Sequence, residues 1–253
     1  MSHFKTYANR FANIELIQRD GILQMSLHTE GGSLQWGALD GSIHTQLGNC
    51  FREIAGDTDI RVLIITGKGN AFCDGMNLQE IPQEPMAQGW HRLLREGKEL
   101  LMNLLDIEVP VIGAINGPAY IHAEIPVLSD IVLASENAEL ADLAHFIHGV
   151  VPGDGVQVVW PMLLGPNRGR HFLLTGQRLS AAEAHALGVV AEVLPQDQLL
   201  TRAWELAQTI ARQPAVTTRY TRVAFTQPIK RRLLDELGYG LALEGLATIA
   251  MTH

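Results

Sequence analysis

Short apolar runs that alternate with helical segments constrain this sequence more than any other feature. Residues 61–66 (RVLIIT) and 109–115 (VPVIGAI) contain several β-branched side chains and no alternation of apolar and polar positions. Such runs are typical of strands that are buried on both faces. Apolar residues at helical spacing occupy residues 38–54 and 93–105, before each of these strands. We therefore predict a parallel sheet covered by helices, which is an α/β fold.

The two ends of the chain add to this core. Near the N-terminus, apolar-rich runs at residues 14–18 and 22–27 flank Arg-Asp-Gly, which predicts a β-hairpin. We divide the chain into a core domain, residues 1–195, and a helical C-terminal region, residues 196–253. The apolar face of that region must be buried, and another subunit is one candidate for covering it. Three helical segments are predicted there: residues 199–212, 217–226 and 229–250.

Composition and charge narrow the range of functions. Of 253 residues, 47% are hydrophobic and the formal net charge is −8, so we expect a folded protein without nucleic acid or an anionic membrane as partner. The apolar stretch at residues 109–127 is interrupted by proline, glycine and polar residues, which rules out a membrane span there. Two cysteines are typical of a reducing compartment, and the first residues lack the apolar segment of a secretory signal. We therefore expect a cytoplasmic protein.

Two turns that follow predicted strands are the expected place of the chemistry. Residues 71–78 follow the first strand, and residues 116–124 follow the second. We predict a turn-to-helix junction at each, where unpaired backbone N–H groups can stabilise developing negative charge. Neighbouring parallel strands bring such turns together at the carboxyl edge of the sheet, where α/β active sites form.

Four motifs follow one another along the chain. They are Phe-Cys-x-Gly-x-x-Leu at residues 72–78, Asn-Gly-x-Ala at 116–119, Ser-Asp-Ile-Val-Leu-Ala at 129–134 and Val-Pro-Gly-x-Gly at 151–155. In this order, from about residue 12 to the C-terminus, the chain resembles the crotonase (enoyl-CoA hydratase/isomerase) superfamily. The resemblance implies a spiral core of ββα turns and a C-terminal helical region that trimerises. It also implies an oxyanion hole of two peptide N–H groups, which map to Met76 and His122.

Departures from the hydratase pattern argue against hydration of a double bond. That reaction needs two glutamates for general acid–base catalysis, and the resemblance places them at Ile125 and His145. Glu124 is one residue away from the first position, which on a helix turns it by about 100°. Since neither carboxylate is in place, we expect no hydratase activity.

The polar residues that are present resemble the hydrolytic branch of the superfamily, 6-oxocamphor hydrolase and related β-diketone hydrolases. The matching positions are Trp36, His122, His145, Asp154 and Glu244, and the segments HTEGGSLQW, EVPVIGAINGP and VVPGDG also match. Members of this branch cleave a carbon–carbon bond between two carbonyl groups. The resemblance implies a hydrolase without cofactor or metal that acts on a small β-diketone. It also implies a homotrimer or a dimer of trimers.

Retro-Claisen hydrolysis of a β-diketone gives these residues roles. Water adds to one carbonyl, which requires an acid or base of near-neutral pKa, and His145 oriented by Asp154 supplies it. The carbon–carbon bond then breaks. The leaving enolate needs hydrogen-bond donors at its oxygen, which come from His122 and the Met76 N–H. Protonation of the enolate gives a keto acid.

Two further residues act on the substrate in this scheme. The indole N–H of Trp36 can hold the second carbonyl. Glu244 can position water, set the charge of a histidine or attack covalently, and the sequence leaves these alternatives open. Together with Trp36, we expect Met76, Phe72 and residues 79–89 to select among bicyclic, monocyclic and acyclic diketones.

Other interpretations remain open from the sequence. The same oxyanion hole can serve an acyl-CoA thioester, with histidines in place of the glutamates. His122, His145 and Asp154 can form a two-histidine, one-carboxylate metal site, although their spacing matches no local metal motif. An enzyme fold can also host an inactive interaction module. Ordinary structural roles exist too, such as a turn or helix cap for Asp154 and a core position for Trp36.

Overall fold

The computed structural model describes residues 3–80 and 86–250. Within these ranges the strands are β1 (Ile14–Arg19), β2 (Ile22–Leu27), β3 (Leu34–Trp36), β4 (Val62–Gly67), β5 (Cys73–Met76), β6 (Val111–Ile115), β7 (Ile131–Ser135), β8 (Glu139–Leu140), β9 (Leu179–Ser180) and β10 (Glu192–Leu194). The α-helices are α1 (Phe4–Tyr7), α2 (Ile43–Gly56), α3 (Met86–Asp106), α4 (Glu124–Val127), α5 (Val156–Leu164), α6 (Pro166–Thr175), α7 (Ala181–Ala186), α8 (Leu199–Ala211) and α9 (Ala215–Ala250). Short 3-10 helices occur at Leu78–Glu80 and Phe146–His148. None of the helices in the described ranges is long and apolar enough to cross a membrane.

Six strands form one sheet in the order β1-β2-β4-β6-β7-β10. β1 and β2 are antiparallel, with Arg19 opposite Ile22, which confirms the predicted hairpin. Its turn places Asp20 and Gly21 at φ 50° and 78°, the left-handed region that a two-residue turn of this kind requires. The other neighbouring strands of this sheet are parallel, and helices lie on both faces. The predicted α/β fold is confirmed.

Side chains of successive residues in β4 enter two different cores. Leu63 and Ile65 pack into the larger core together with residues of α2 and α3. Val62 and Ile64 pack on the opposite face, against residues of α8. This burial on both faces explains why the run at residues 61–66 lacks polar alternation. Each fully buried side chain of this size stabilises the fold by about 1.5–3 kcal/mol.

The longest helix shows that one prediction was wrong. The sequence indicated two separate helices that break near Pro228, but α9 continues from Ala215 to Ala250 with this proline inside it. Proline removes one backbone N–H and crowds the preceding turn. Burial on both sides compensates, because Arg222 and Leu233 are each 1% exposed.

Arg222 attaches α9 to the sheet. Its guanidinium donates a hydrogen bond of 2.7 Å to the carbonyl of Ile107 and one of 2.5 Å to the carboxylate of Asp130, just before β7. Asp130 also accepts a hydrogen bond of 2.7 Å from the backbone N–H of Val111 in β6. The first half of α9 is thereby tied to the neighbouring strands β6 and β7.

The second half of α9 lies directly against the turn that precedes α5. A Cβ atom on Gly153 would stand 2.2 Å from the carbonyl oxygen of Gly240. One on Gly240 would stand 2.3 Å from the carbonyl oxygen of Gly153. Only glycine permits so close an approach of two backbones. This contact brings Glu244 on α9 beside Asp154 of the turn.

Candidate active site

A cavity of about 320 Å³ lies beside β5 and the turn that follows β6. Its volume falls in the range of small-molecule sites. Apolar side chains form most of its wall: Trp90, Leu93, Ile121, Val150 and Leu241. Among the described residues that line it there is no lysine or arginine, and the polar side chains gather in one part of the wall.

The two predicted turns meet at this cavity. Cys73 forms a β-bridge with Ala119, and its carbonyl accepts a hydrogen bond of 2.8 Å from the N–H of Tyr120. The first turn differs from the prediction. Instead of opening a helix, the chain forms β5, which pairs with β3 and places Met76 opposite Trp36. A 3-10 turn at Leu78–Glu80 follows.

Two residues near this turn are core residues. Phe72 and Cys73 are each 1% exposed. Burial raises the pKa of the Cys73 thiol, which opposes a role as a nucleophile. Phe72 does not line the cavity, so its predicted part in substrate selection is wrong. Of the segment predicted to share that part, residues 81–85 lie outside the described residues, while Gly89 lines the cavity.

His145 is held between two carboxylates. Its Nδ1 lies 2.7 Å from Oδ1 of Asp142, and since a carboxylate only accepts, Nδ1–H donates. Its Nε2 lies 3.4 Å from Oδ2 of Asp154 and 3.9 Å from Oε1 of Glu244. The side chain of His145 is 5% exposed. Asp142 accepts the short hydrogen bond that orients the ring, a part that was expected of Asp154.

His122 lies on the other side of Asp154. Its Nδ1 is 2.7 Å from Oε1 of Glu124 and 3.3 Å from Oδ2 of Asp154. Its ring stacks on Trp36, with the centroids 3.8 Å apart and an angle of 34° between the planes. The backbone of His122 has a φ of 53°, which is uncommon outside glycine and less unfavourable for histidine than for β-branched residues. Asp154 thus contacts both imidazoles of the site.

Opposing effects set the charges of the two histidines and of Asp154. Burial alone would lower the pKa of His145, but the charge of Asp154 and the hydrogen bonds of Asp142 and Asp154 raise this pKa well above 6.5. Burial would likewise lower the pKa of His122, but the charge and hydrogen bond of Glu124, and then the charge of Asp154, raise it. Burial works to raise the pKa of Asp154, but His145 and then His122 hold it well below its ordinary value.

Glu244 and His44 are shifted toward their neutral forms. Burial, and then the charge of Asp154, raise the pKa of Glu244 to about 8, against the opposing effect of the two histidines. Burial lowers the pKa of His44, which lines the cavity and has Nδ1 3.3 Å from Oε2 of Glu96. The site therefore combines an Asp154 held in its ionised form and two histidines shifted toward their imidazolium forms with a Glu244 that is mostly protonated at neutral pH and a His44 shifted toward its neutral form. Titratable groups whose pKa values are pushed apart in this way are typical of acid–base catalysis.

The structure brings the residues chosen from the sequence to one cavity. All six of these residues line the cavity: Trp36, Met76, His122, His145, Asp154 and Glu244. Sequence reasoning missed three residues: Asp142, Glu124 and His44. Asp142 precedes His145 by three residues, the only sequence signal it had. Glu124 was set aside because it is one residue away from the hydratase position at Ile125; both residues lie in α4, and the Glu124 carboxylate contacts His122 instead.

One group of the described residues could in principle hold a metal ion. Its members are His122, Glu124 and Asp154, whose ligand atoms lie within 4.8 Å of one another. This set differs from the one considered in the sequence, because Glu124 replaces His145. The 2.7 Å distance between Nδ1 of His122 and Oε1 of Glu124 is that of a hydrogen bond, which explains the closeness of these two groups without an ion.

Sequence comparison relates this chain to enoyl-CoA hydratases and isomerases. Residues 19–242 match the family described as enoyl-CoA hydratase/isomerase. The 1,2-epoxyphenylacetyl-CoA isomerase of Escherichia coli (strain K12) is 31% identical over 70% of this chain and 69% of its own length. The carnitinyl-CoA dehydratase of Proteus mirabilis (strain HI4320) is 31% identical over 92% of this chain and 87% of its own.

The solved structures that resemble this chain include a hydrolase as well as enoyl-CoA hydratases. A β-diketone hydrolase from the cyanobacterium Anabaena sp. PCC 7120, bound to (S)-3-oxocyclohexyl acetic acid, superposes with a TM-score of 0.93 and 42% identity, over 100% of this chain and 99% of the other. An enoyl-CoA hydratase/isomerase from Mycobacterium paratuberculosis gives a TM-score of 0.84 and 26% identity, over 93% of each chain.

Proposed function

Since this chain belongs to the enoyl-CoA hydratase/isomerase family, and is an enzyme with the crotonase-type fold expected from its sequence, we propose that it hydrolyses a carbon–carbon bond of a cyclic or bicyclic β-diketone. The observation that carries this proposal is the shared position of Asp154 between His122 and His145 at the polar part of an apolar cavity. The position that a hydratase glutamate would occupy holds Ile125, which is fully buried.

Similarity to the Anabaena hydrolase supports the same choice. Hydrolysis of a β-diketone ring leaves one ketone and one carboxylic acid on the same molecule. The compound bound to that enzyme, an oxocyclohexyl acetic acid, carries this pair of groups. Within a family of many activities, 42% identity over the whole chain favours this reaction over those of the structures with lower identity.

Attack of water begins the proposed reaction. Asp142 holds Nδ1–H of His145, so Nε2 is the nitrogen available to take a proton from water. The resulting hydroxide adds to one carbonyl carbon. Collapse of the adduct breaks the bond to the central carbon and opens the ring, so that one end of the molecule becomes a carboxylic acid and the other an enolate. The neutral form of His145 is needed for the first step.

Stabilisation and protonation of the enolate complete the proposed reaction. His122 as an imidazolium and the Met76 N–H donate hydrogen bonds to the enolate oxygen, while the Trp36 indole holds the substrate. Glu244, with a pKa of about 8, is mostly protonated at neutral pH. We therefore assign it to water positioning or proton delivery, because nucleophilic attack requires a carboxylate.

Loss of ultraviolet absorbance on a panel of cyclic β-diketones, measured beside crotonyl-CoA, tests the proposal. We expect diketone cleavage that His145→Ala nearly abolishes. Since the pKa of His145 is raised and its neutral form is the base, kcat should increase with pH through a midpoint above 6.5. A His145→Ala protein with unimpaired turnover would contradict the assignment.

An acyl-CoA substrate is the second candidate, because the curated relatives are named for CoA esters. The absence of lysine and arginine among the described cavity residues gives no support for holding CoA phosphates inside the cavity. Turnover of crotonyl-CoA without diketone cleavage would establish this candidate. An increase in melting temperature with CoA but not with a diketone would support it too.

We also propose that the protein assembles as a homotrimer or a dimer of trimers. Large apolar side chains along α9 are exposed in the single chain: Tyr220, Phe225, Leu234, Tyr239 and Leu246. Exposed apolar surface of this extent is typical of an interface. Light scattering coupled to size-exclusion chromatography measures the mass, and a monomer would contradict the proposal.

A further inference from the structure

Glu124 is a buried carboxylate without a part in the reaction described above. The residue is 1% exposed, and Oε1 lies 2.7 Å from Nδ1 of His122. Its other oxygen, Oε2, has no hydrogen-bond partner within residues 3–80 and 86–250. Removing a carboxylate from water is costly unless a charge compensates it. The imidazole of His122 is the group placed to do so.

We propose that Glu124 is a positioning residue for His122, which fixes the ring with Nδ1–H at its own carboxylate and Nε2 directed to the cavity as a hydrogen-bond donor. This inference rests on the proposed function, because it assigns the donor to the oxygen of the leaving enolate. Glu124 itself does not line the cavity and acts only through His122.

Two contacts fix the imidazole of His122. Stacking on Trp36, with centroids 3.8 Å apart, sets the plane of the ring. The hydrogen bond from Nδ1 to Glu124 sets the rotation within that plane, since the two ring nitrogens point in different directions. With Nδ1 engaged, Nε2 is the nitrogen left for the cavity that His122 lines. A ring held on two sides needs no rearrangement when charge develops on the substrate.

Protonation decides whether Nε2 donates or accepts. A neutral imidazole with a proton on Nδ1 has a lone pair at Nε2, which repels an enolate oxygen. As long as Nδ1 keeps its proton toward Glu124, only the imidazolium also offers Nε2–H. Glu124 and Asp154 lie 2.7 Å and 3.3 Å from Nδ1 and favour this cation. The pKa of His122, which burial would lower, is raised by Glu124 first and by Asp154 second.

Other titratable groups face His122 from the surrounding elements. His145 opposes the positive charge of His122, with the two ring centroids 6.5 Å apart. Glu244 on α9 and His44 on α2 line the same cavity, and both are shifted toward their neutral forms. Glu124 is the neighbour that raises the pKa of His122 most, while burial raises the pKa of Glu124 itself against the charge and hydrogen bond of His122.

The substitution Glu124→Gln tests the contribution of the negative charge of Glu124 apart from that of its side-chain shape. The amide oxygen of glutamine can still accept the Nδ1–H hydrogen bond, so the variant removes the charge and keeps the volume. Glu136→Gln is the matched control, because Glu136 is exposed. We expect kcat on the diketone to fall at least about tenfold with KM within about threefold, since removal of a donor to a developing oxyanion acts on the transition state. The control should retain wild-type values.

The titration of His122, followed by NMR of labelled imidazole nitrogens, is a second readout. In Glu124→Gln its midpoint should fall by about one pH unit or more. Unchanged kcat and midpoint in a folded variant would overturn the proposal. If the variant fails to fold, the wild type still decides: a slowly exchanging, downfield Nδ1 proton on His122 is expected, and an unprotonated Nδ1 overturns the proposal. A protein that cleaves no diketone but shows the midpoint shift would refute the proposed function and the assignment to the enolate, while the Glu124–His122 pairing would stand.

Discussion

Replacing Glu244 by glutamine should make the protein more stable at alkaline pH and less stable at acidic pH. Glu244 lies on α9 with its residue 8% exposed, and among the described residues Oε2 has no hydrogen-bond partner. Burial, followed by the charge of Asp154, raises its pKa from 4.5 to about 8. The folded state therefore retains a proton that the unfolded state has already lost between these two values.

Proton linkage gives the sign and the magnitude of the effect of Glu244 on the free energy of unfolding. Because the folded state binds this proton more tightly, the wild-type free energy of unfolding falls as pH increases from 4.5 and levels off above about 8. At about 1.4 kcal/mol per pKa unit, Glu244 destabilises the fold by about 3 kcal/mol at pH 7 and about 5 kcal/mol above pH 8. Glutamine does not ionise. Its buried amide costs about 1–3 kcal/mol for an unpaired donor at every pH.

Urea unfolding at pH 5.0 and pH 8.5, at one protein concentration, measures both contributions. We expect Glu244→Gln to be less stable than wild type at pH 5.0 and more stable at pH 8.5. The difference between the two pH values cancels the cost of the amide and isolates the ionisation. Glu136→Gln, an exposed control, should show no such difference. An effect of Glu244→Gln that is equal at both pH values would refute the reasoning, because it would mean that Glu244 is ionised in the folded protein.

Three further substitutions test the supports of the site. Asp142→Asn should lower kcat by about 10²-fold or more, because an amide can stabilise the wrong tautomer of His145, which Asp142 contacts at 2.7 Å. Steady-state kinetics measures this loss, and Asp235→Asn, a change at an exposed residue, should leave kcat unchanged. Gly153→Ala should cost about 1–3 kcal/mol in urea unfolding and lower kcat, since its Cβ would stand 2.2 Å from a carbonyl of α9. Gly32→Ala, where the nearest atom is 3.7 Å away, is its control, and equal effects of the two would contradict the argument. Arg222→Met should cost about 3 kcal/mol in the same measurement, because it leaves a carboxylate without its partner; no loss would show that the pair is not needed for stability.

Much of the fold could be predicted from patterns that depend on burial alone. The run at residues 61–66 is apolar throughout because both faces of β4 are covered, and the hairpin followed from one turn sequence. Pro228 misled the prediction, since a local rule for helix breaking does not include the packing of Arg222 and Leu233 on either side of it. Tertiary burial outweighed a local preference at that point.

The candidate site was predictable where a residue's identity carried the signal. His122, His145 and Asp154 were chosen by resemblance, and the structure places them together. The supporting carboxylates were not predictable in this way. Asp142 contacts the ring of His145 across an irregular turn, and Glu124 contacts His122, whose backbone is left-handed. Neither contact follows from helical or strand periodicity, so only the folded backbone reveals it.

The position of α9 has a consequence for how activity is acquired. The wall of the cavity extends from Trp36 to Thr248, and its last members enter only when the second half of α9 docks through the contact between Gly153 and Gly240. Closing the long segment between such distant residues costs conformational entropy, and we therefore expect these contacts to form late when the chain refolds. Most tryptophan side chains are placed by the earlier elements, so their fluorescence should recover before enzymatic turnover does. The delay between the recovery of fluorescence and the recovery of turnover would then measure the rate at which the second half of α9 docks.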